Sequence, residues 1–364
     1  MKMKFYRMKM TVVLAAASLC GGCGEGDGSR ILWRPVASVA PEEGGYAKGV
    51  SAPFAGTADG VLLMAGGANF PDLPVTEGGR KAFYDTIYRY GEDGWTVAGR
   101  LPAEAAYGVS CGLGESVVFA GGSNASGALR SVWRVGLRDG KAVVTELPSL
   151  PHAVEQAAGA ALGRRIYICG GISDGAPSDE LWSLDTDAPE PCWERAASLP
   201  EKVVQPVMAA SGGCLWLWGG FDSSTGAASG NGYRYDPSSD TWTPVKGHPD
   251  GGTFVGASAT ALPDGRIAVT GGVDRKIFEA AVRLPSDKIR EYQLHPVEWY
   301  RFQNAVRLFD PSSGEWEDLG EFTGAARAGA ALVTCGDGIF LLGGELKPGI
   351  RTPDNYCGTL VSRK

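Results

Sequence analysis

The sequence predicts an all-β chain arranged as a six-bladed β-propeller. Three observations carry the prediction: a glycine pair closes an apolar run six times, a similar polar turn recurs downstream, and a Trp-to-Pro spacing repeats. The pairs begin at 66, 121, 170, 219, 271 and 343, so successive pairs stand 55, 49, 49, 52 and 72 residues apart. The runs before them are strand-like, for example Val-Val-Phe-Ala, Ile-Tyr-Ile-Cys, Leu-Trp-Leu-Trp and Ile-Phe-Leu-Leu.

Repeats of about 50 residues with four short strands are the size of a kelch-type blade. Downstream of the pairs comes a further strand, such as Tyr233-Arg-Tyr-Asp or Arg307-Leu-Phe-Asp, then a polar turn and usually a Trp. Asp236-Pro-Ser-Ser-Asp-Thr-Trp242 and Asp310-Pro-Ser-Ser-Gly-Glu-Trp316 are near copies. Pro and Ser set the hairpin turn, and the Trp is placed to pack between blades with its indole N–H seeking an acceptor. Trp95 and Pro102, Trp193 and Pro200, and Trp242 and Pro249 each stand seven residues apart, which marks the crossing from one blade to the next.

After the sixth pair there is room for little more than one strand, around Gly358–Ser362, and no Trp follows. The missing outer strand is supplied by the other end: Ile31-Leu-Trp33 is followed at plus five by Ser38, as Trp193 is by Ser198. The last blade is therefore expected to be closed by the N-terminal strand, leaving no free sheet edge. Residues 31–364 then form one toroid, and 54 glycines with 44% hydrophobic residues suit it. The long interval before the sixth pair predicts a short helical insertion in the fifth blade region, about Ala280 to Gln303, starting at Pro285-Ser-Asp. It lies either over one face or on the outer rim.

Residues 1–23 read as an export signal: a basic start, an apolar run from Met10 and small residues before Cys23, too short to span a membrane as a stable helix. Cys23 after Gly21-Gly22 fits a lipoprotein cleavage site, with Cys20 where Leu is expected; ordinary cleavage and release is the alternative. The chain is thus expected outside the cytoplasm, periplasmic or anchored to the outer membrane by lipid, with residues 24–30 as a linker. Cys111, Cys169, Cys192, Cys214, Cys335 and Cys357 show no metal spacing and read as core thiols. A net charge of −7 and no basic cluster after residue 23 argue against nucleic acid.

The segment Gly343-Gly-Glu-Leu-Lys-Pro-Gly-Ile-Arg-Thr352 departs most from a structural repeat, because it sets an acid, a Lys, a Pro-Gly turn and an Arg directly after the pair. It resembles the Gly-Glu-Ala-Lys-Pro-Gly-Leu-Arg segment of the bacterial N-acetylneuraminate epimerases, or sialate mutarotases, which are six-bladed kelch propellers. The resemblance extends to Val269-Thr-Gly-Gly-Val-Asp-Arg-Lys-Ile-Phe278, Phe54-Ala-Gly, Ala65-Gly-Gly-Ala68 and Ala106-Tyr-Gly-Val-Ser110. This chain starts two blades earlier than the typical periplasmic epimerase, as in a cyclically permuted subgroup; a closed ring tolerates such a cut. The resemblance implies Glu345 as proton acceptor, Arg351 as its partner in the site, an acidic sugar of the sialic acid class as substrate, and no cofactor. Anomer exchange of a 2-keto sugar acid needs a base at the anomeric hydroxyl, and a guanidinium suits the substrate carboxylate. Two positions depart from the family pattern: Ala105 replaces an Arg before Tyr-Gly-Val-Ser, and Arg327 replaces a small residue.

Other candidate binding residues are Lys347, Asn69, Arg80, Tyr107, Gln156, Gln205 and Arg327, in loops or ahead of inner strands. Each has a plainer reading. Glu345 and Arg351 could pair across a loop, Lys347 could be a solvated charge, and Asn69 and Tyr107 could be turn and packing residues. A copper radical oxidase would need two His and two Tyr on one metal, whereas only His152, His248 and His295 are present and the last two fall in a crossing loop and the insertion. A propeller that binds carbohydrate or protein without turnover is the remaining alternative, and Glu345 is the residue that separates the two.

Overall fold

The computed structural model describes residues 29–39 and 45–362. Residues 1–23, with Cys23, and most of the linker lie outside them. Among the described residues six four-stranded antiparallel sheets dominate, in chain order, each meandering from a first strand to a fourth. The first strands are Phe54–Ala58, Val109–Gly112, Ala158–Leu162, Val207–Ser211, Ala257–Ala261 and Ala331–Cys335. Each packs beside the next, and Ala331–Cys335 packs beside Phe54–Ala58, so the circuit is continuous and matches a β-propeller arrangement. The sixth sheet takes its outermost strand from the N-terminal end: Ser29–Val36 pairs antiparallel with Asn355–Ser362. That strand begins at Ser29, two residues before the expected start, because pairing extends back to Ser362.

The sequence repeat has a physical cause at each sheet-to-sheet contact. Gly343 and Gly344 have φ of 60° and 101°, and a Cβ on Gly343 would lie 2.5 Å from the Val50 carbonyl. The close approach lets Gly344 N–H donate to that carbonyl at 2.8 Å, tying the sixth sheet to the approach of the first. Gly67, Gly122, Gly171 and Gly272 donate in the same way to Ala105, Val154, Val203 and Arg327. The tryptophans work at the outer side. Trp95, Trp193, Trp242 and Trp316 donate Nε1–H to the carbonyls of Ala37, Pro148, Ala197 and Lys246, each in the crossing that leaves the preceding sheet. Between sheets lie separate apolar clusters, for example Phe54, Leu63, Phe119 and Trp133.

After the glycine pairs the chain turns into short hairpins, with strands such as Ala68–Asn69 and Ala82–Phe83, or Glu345–Lys347 and Ile350–Arg351. In the fifth sheet the insertion takes the hairpin's place. Helix α1 (Arg275–Ala281) is capped by Asp274, whose carboxylate accepts Ile277 N–H at 2.9 Å. A 3-10 turn at Ser286–Lys288 then leads into α2 (Ile289–Gln293). The expected helix start at Pro285 is thus the second of two; the first begins ten residues earlier, where an Asp supplies the cap. Cysteines Cys111, Cys169 and Cys357 are buried and Cys214 and Cys335 partly so, but Cys192 is exposed, since it precedes an outer strand. Burial pushes the Cys111 thiol up to about 12.

Candidate active site

The residue that follows each glycine pair occupies an equivalent place, at the inner edge of a hairpin in five sheets and at the start of the insertion in the fifth. Five sheets put Ala68, Ser123, Ile172, Phe221 and Val273 there, and the sixth puts Glu345. Its backbone exchanges two hydrogen bonds with Ala328, 2.8 and 2.9 Å, so the side chain starts from a fixed platform. The Pro348-Gly349 turn folds the hairpin back with Gly349 at φ 87°, which brings Arg351 opposite Glu345 across the two strands.

Arg351 Nη1 stands 2.5 Å from Glu345 Oε2, with the arginine side chain 4% and the glutamate side chain 25% exposed. The contact is an ion pair by distance, yet Nη1 makes no hydrogen bond of acceptable angle. Around it, Arg351 Nη2 donates to Tyr107 Oη at 3.4 Å, Nε donates to the Ala68 carbonyl at 3.4 Å, and the guanidinium lies 5.2 Å from the Phe70 ring. Lys81 Nζ sits 4.9 Å from the Tyr107 ring. The Glu345 carboxyl is held above the usual carboxylate range by burial, against the opposing pull of Arg351, Lys81 and the Gly349 backbone.

Beneath the pair a cavity of about 210 Å³ opens along the ring axis, lined by Glu345, Tyr107, Gln156 and Gln205 together with small residues. Its rim has a regular origin. Ala52, Tyr107, Gln156, Gln205, Gly256 and Gly329 stand one residue (Gly256) or two residues (the others) before the first strands of the six sheets, all with φ between 51° and 69°. Five backbone bonds link them into a belt: Ala52 to Gly329, Tyr107 to Ala52, Gln156 to Tyr107, Gln205 to Gln156 and Gly329 to Gly256, at 2.6 to 3.1 Å. A non-glycine residue in this region costs about 1 kcal/mol or more.

The candidate residues therefore divide. Glu345, Tyr107, Gln156 and Gln205 line the cavity, and Arg351 stands behind them in contact with Glu345 and Tyr107. Arg80 is exposed on the neighbouring loop. Asn69 is buried and engaged by the scaffold, donating to the Gly45 and Gly49 carbonyls and accepting from Tyr84 Oη, each at 2.8 Å. Arg327, 2% exposed, donates to the carbonyls of Gly324, Gly343 and Asp354 and faces the Tyr356 ring. Lys347 Nζ donates to the carbonyls of Gln293 (3.2 Å) and His295 (2.6 Å), fastening the insertion beside the site. Arg290 does the same from the other side, donating to the Thr76 carbonyl at 3.1 Å. The Tyr292 phenol is pushed up by burial, by Tyr300 and by the Glu345 charge, so α2 lies within electrostatic reach of the carboxylate.

Lys81, which the sequence sets with Asn69, Arg80 and Tyr107 in comparable loops but which is not among the candidate binding residues, also reaches the site. It is 264 positions from Glu345, and only its place beside Arg80 after a glycine-pair hairpin hinted at it. The three histidines stay apart: His152 pairs with Asp174, His248 Nε2 lies 3.0 Å from Gln303 Oε1, and His295 stacks on Trp299.

A ring of small antiparallel sheets with a buried carboxylate–guanidinium pair at the head of its axial cavity defines a class of ligand-binding or catalytic β-proteins. The profile of the N-acetylneuraminate epimerase family matches residues 24–144 and 147–364, and the chain belongs to that family. It is 35% identical over 135 residues to the N-acetylneuraminate epimerase of Brucella melitensis biotype 1, covering 34% of each chain. With the Escherichia coli strain K12 protein of the same name the identity is 32% over 130 residues, 33% of this chain and 35% of that one. The chain thus spans about a third of the length of the curated relatives it matches. The solved structure of YjhT superposes with a TM-score of 0.50 and 28% identity, covering 56% of this chain and 62% of that one.

Proposed function

We propose that this protein is a mutarotase that interconverts the α and β anomers of N-acetylneuraminate or a related acidic sugar. The scaffold in this reading is a six-bladed kelch-type propeller closed by its N-terminal strand and cut at a different point of the ring from its relatives. A different cut leaves a same-order alignment only part of each chain to follow, which accords with the one-third coverage. The observation that carries the functional reading is the Glu345–Arg351 pair: a carboxyl raised by burial beside a buried guanidinium nitrogen that lacks a well-angled partner.

The chemistry follows from these groups. Glu345 removes the proton of the anomeric hydroxyl, the O–H electrons form the ketone, and the ring C–O pair leaves to the ring oxygen, which takes up a proton. Rotation about the exposed C–C bond and reclosure from the other face give the second anomer. A raised carboxyl suits this cycle, since it is a stronger base than a free glutamate and returns the proton readily. Arg351 holds the substrate carboxylate, for which its fork is shaped, and Lys81 supplies further positive charge at the mouth. General base catalysis of this kind contributes about 10²- to 10⁴-fold.

A binding propeller without turnover is the second reading, favoured by the same 2.5 Å contact, because Arg351 as drawn occupies the carboxylate. The rate of anomer exchange followed by NMR decides between them: catalysis predicts acceleration lost in Glu345→Gln, and binding predicts none in either protein. The export signal of residues 1–23 puts this activity outside the cytoplasm in our reading, with lipid on Cys23; mass spectrometry of the mature N-terminus tests that.

A further inference from the structure

Ring opening moves two protons, and Glu345 accounts for one of them. The ring oxygen must gain a proton as its bond to the anomeric carbon breaks, so the site needs a donor beside the acceptor. Five polar side chains line the axial cavity: Ser51, Tyr107, Gln156, Gln205 and Glu345. No histidine is among them. Amides do not release protons in this range, and a serine hydroxyl is a far weaker acid than a phenol, which leaves Tyr107. Its backbone is fixed on both sides by the belt: Tyr107 N–H donates to the Ala52 carbonyl at 3.1 Å, and its own carbonyl accepts Gln156 N–H at 2.7 Å. Arg351 Nη2 donates to the phenol oxygen at 3.4 Å, and among the described residues that is the one hydrogen bond of the phenol. The oxygen therefore accepts, and its own hydrogen is left to donate. The same guanidinium touches the base, with Nη1 2.5 Å from Glu345 Oε2, so carboxylate and phenol flank one cation at the cavity they both line.

From this arrangement we infer that Tyr107 is the general acid of the reaction and gives its phenolic proton to the ring oxygen while Glu345 takes the proton of the anomeric hydroxyl. The inference rests on the mutarotase reading and supplies the proton donor that reading requires. In opening, the anomeric O–H pair becomes the second bond of the ketone, and the pair of the ring C–O bond goes to the ring oxygen. That oxygen bonds the Tyr107 proton, and the phenol O–H pair stays behind as a phenolate. Arg351 at the oxygen and Lys81 Nζ at 4.9 Å from the ring centroid are the two cations that stabilise the new charge. Closure reverses each move: the sugar hydroxyl returns its proton to the phenolate as it attacks the ketone carbon, and Glu345 returns its proton to the ketone oxygen. Both residues end as they began, and no proton is drawn from solvent.

The test follows anomer exchange of N-acetylneuraminate by NMR in two variants of position 107. Tyr107→Phe keeps the aromatic ring beside Lys81 and every backbone bond of the belt, and removes only the hydroxyl. It should lose about 10²- to 10⁴-fold in kcat, the worth of a general acid, with KM within about threefold of wild type. A fluorinated tyrosine at the same position tests the acidity itself, and decides the matter if the phenylalanine variant fails to fold. Its phenol has nearly the same shape but is the stronger acid, so at a pH where both phenols are protonated kcat should rise severalfold at unchanged KM. A phenol that only braces Arg351 would leave kcat where it was. Wild-type kcat in Tyr107→Phe, a loss confined to KM, or a fluorinated protein no faster than wild type overturns the acid role of Tyr107 alone. A wild type that does not hasten the exchange overturns the mutarotase reading, and the inference with it.

Discussion

Glu345 is a carboxylate at a position where five equivalent repeats place Ala, Ser, Ile, Phe and Val, and its environment gives it a measurable signature. Burial raises its pKa while Arg351 and Lys81 lower it, and burial prevails. The base must be ionised, so kcat/KM should fall as pH drops through the raised pKa, and the acid limb should lie above the value of about 4.3 for a free glutamate. Removing Lys81 removes a charge that favours ionisation. Lys81→Met should therefore move the limb further up, by a fraction of a unit given the exposure of the lysine; a limb that moves down, or stays, contradicts the placement of Lys81 in the site. Glu345 and Arg351 were legible because an acid and an arginine framing a Pro-Gly turn exceed what a hairpin needs. Asn69 and Arg327 were not separable from them by sequence. Their side chains satisfy carbonyls 16 to 27 residues away, or 20 to 24 in the case of Asn69, and such long-range bonds leave no local pattern.

At the scale of elements, the insertion decides what the mouth of the cavity looks like. The lengthened fifth interval announced it, and the hairpin it replaces fixes the face it lies on. What stayed hidden was helix α1, since Val273-Asp-Arg-Lys-Ile-Phe278 reads equally well as a loop motif until the Asp274 cap is seen. Lys347 ties α2 and the turn after it to the hairpin that carries Glu345 through two carbonyls. Lys347→Met should speed hydrogen exchange across residues 289–300 and cost about 1–3 kcal/mol of local stability, the worth of charged hydrogen bonds, with a smaller effect on substrate affinity. A large rise in KM with exchange unchanged would instead make Lys347 a substrate ligand.

At the scale of the whole molecule, the sixth sheet takes in a strand that is 319 to 333 residues from its partner in sequence. Ser29–Val36 pairs with Asn355–Ser362, Trp33 stacks on Phe322 at 4.9 Å, and Gly344 N–H reaches the Val50 carbonyl. The pairing of the two ends was readable from the outer strand missing after the sixth glycine pair, because each four-stranded repeat needs the same parts and an absent one must come from elsewhere. If the sixth sheet closes the ring, Trp33→Ala should lower the stability of the entire protein by about 2 kcal/mol and shift a single cooperative unfolding transition. A separate early transition confined to residues 331–362 would show that the sheet is an appendage.

The central claim is that the Glu345 carboxylate moves a proton at the anomeric centre of an acidic sugar. NMR of freshly released α-N-acetylneuraminate measures it most directly. The account predicts that wild type hastens conversion to the β anomer well beyond the spontaneous rate, and that Glu345→Gln, folded and still able to bind the sugar, loses about 10²- to 10⁴-fold of that acceleration. Equal rates for the two proteins would contradict it.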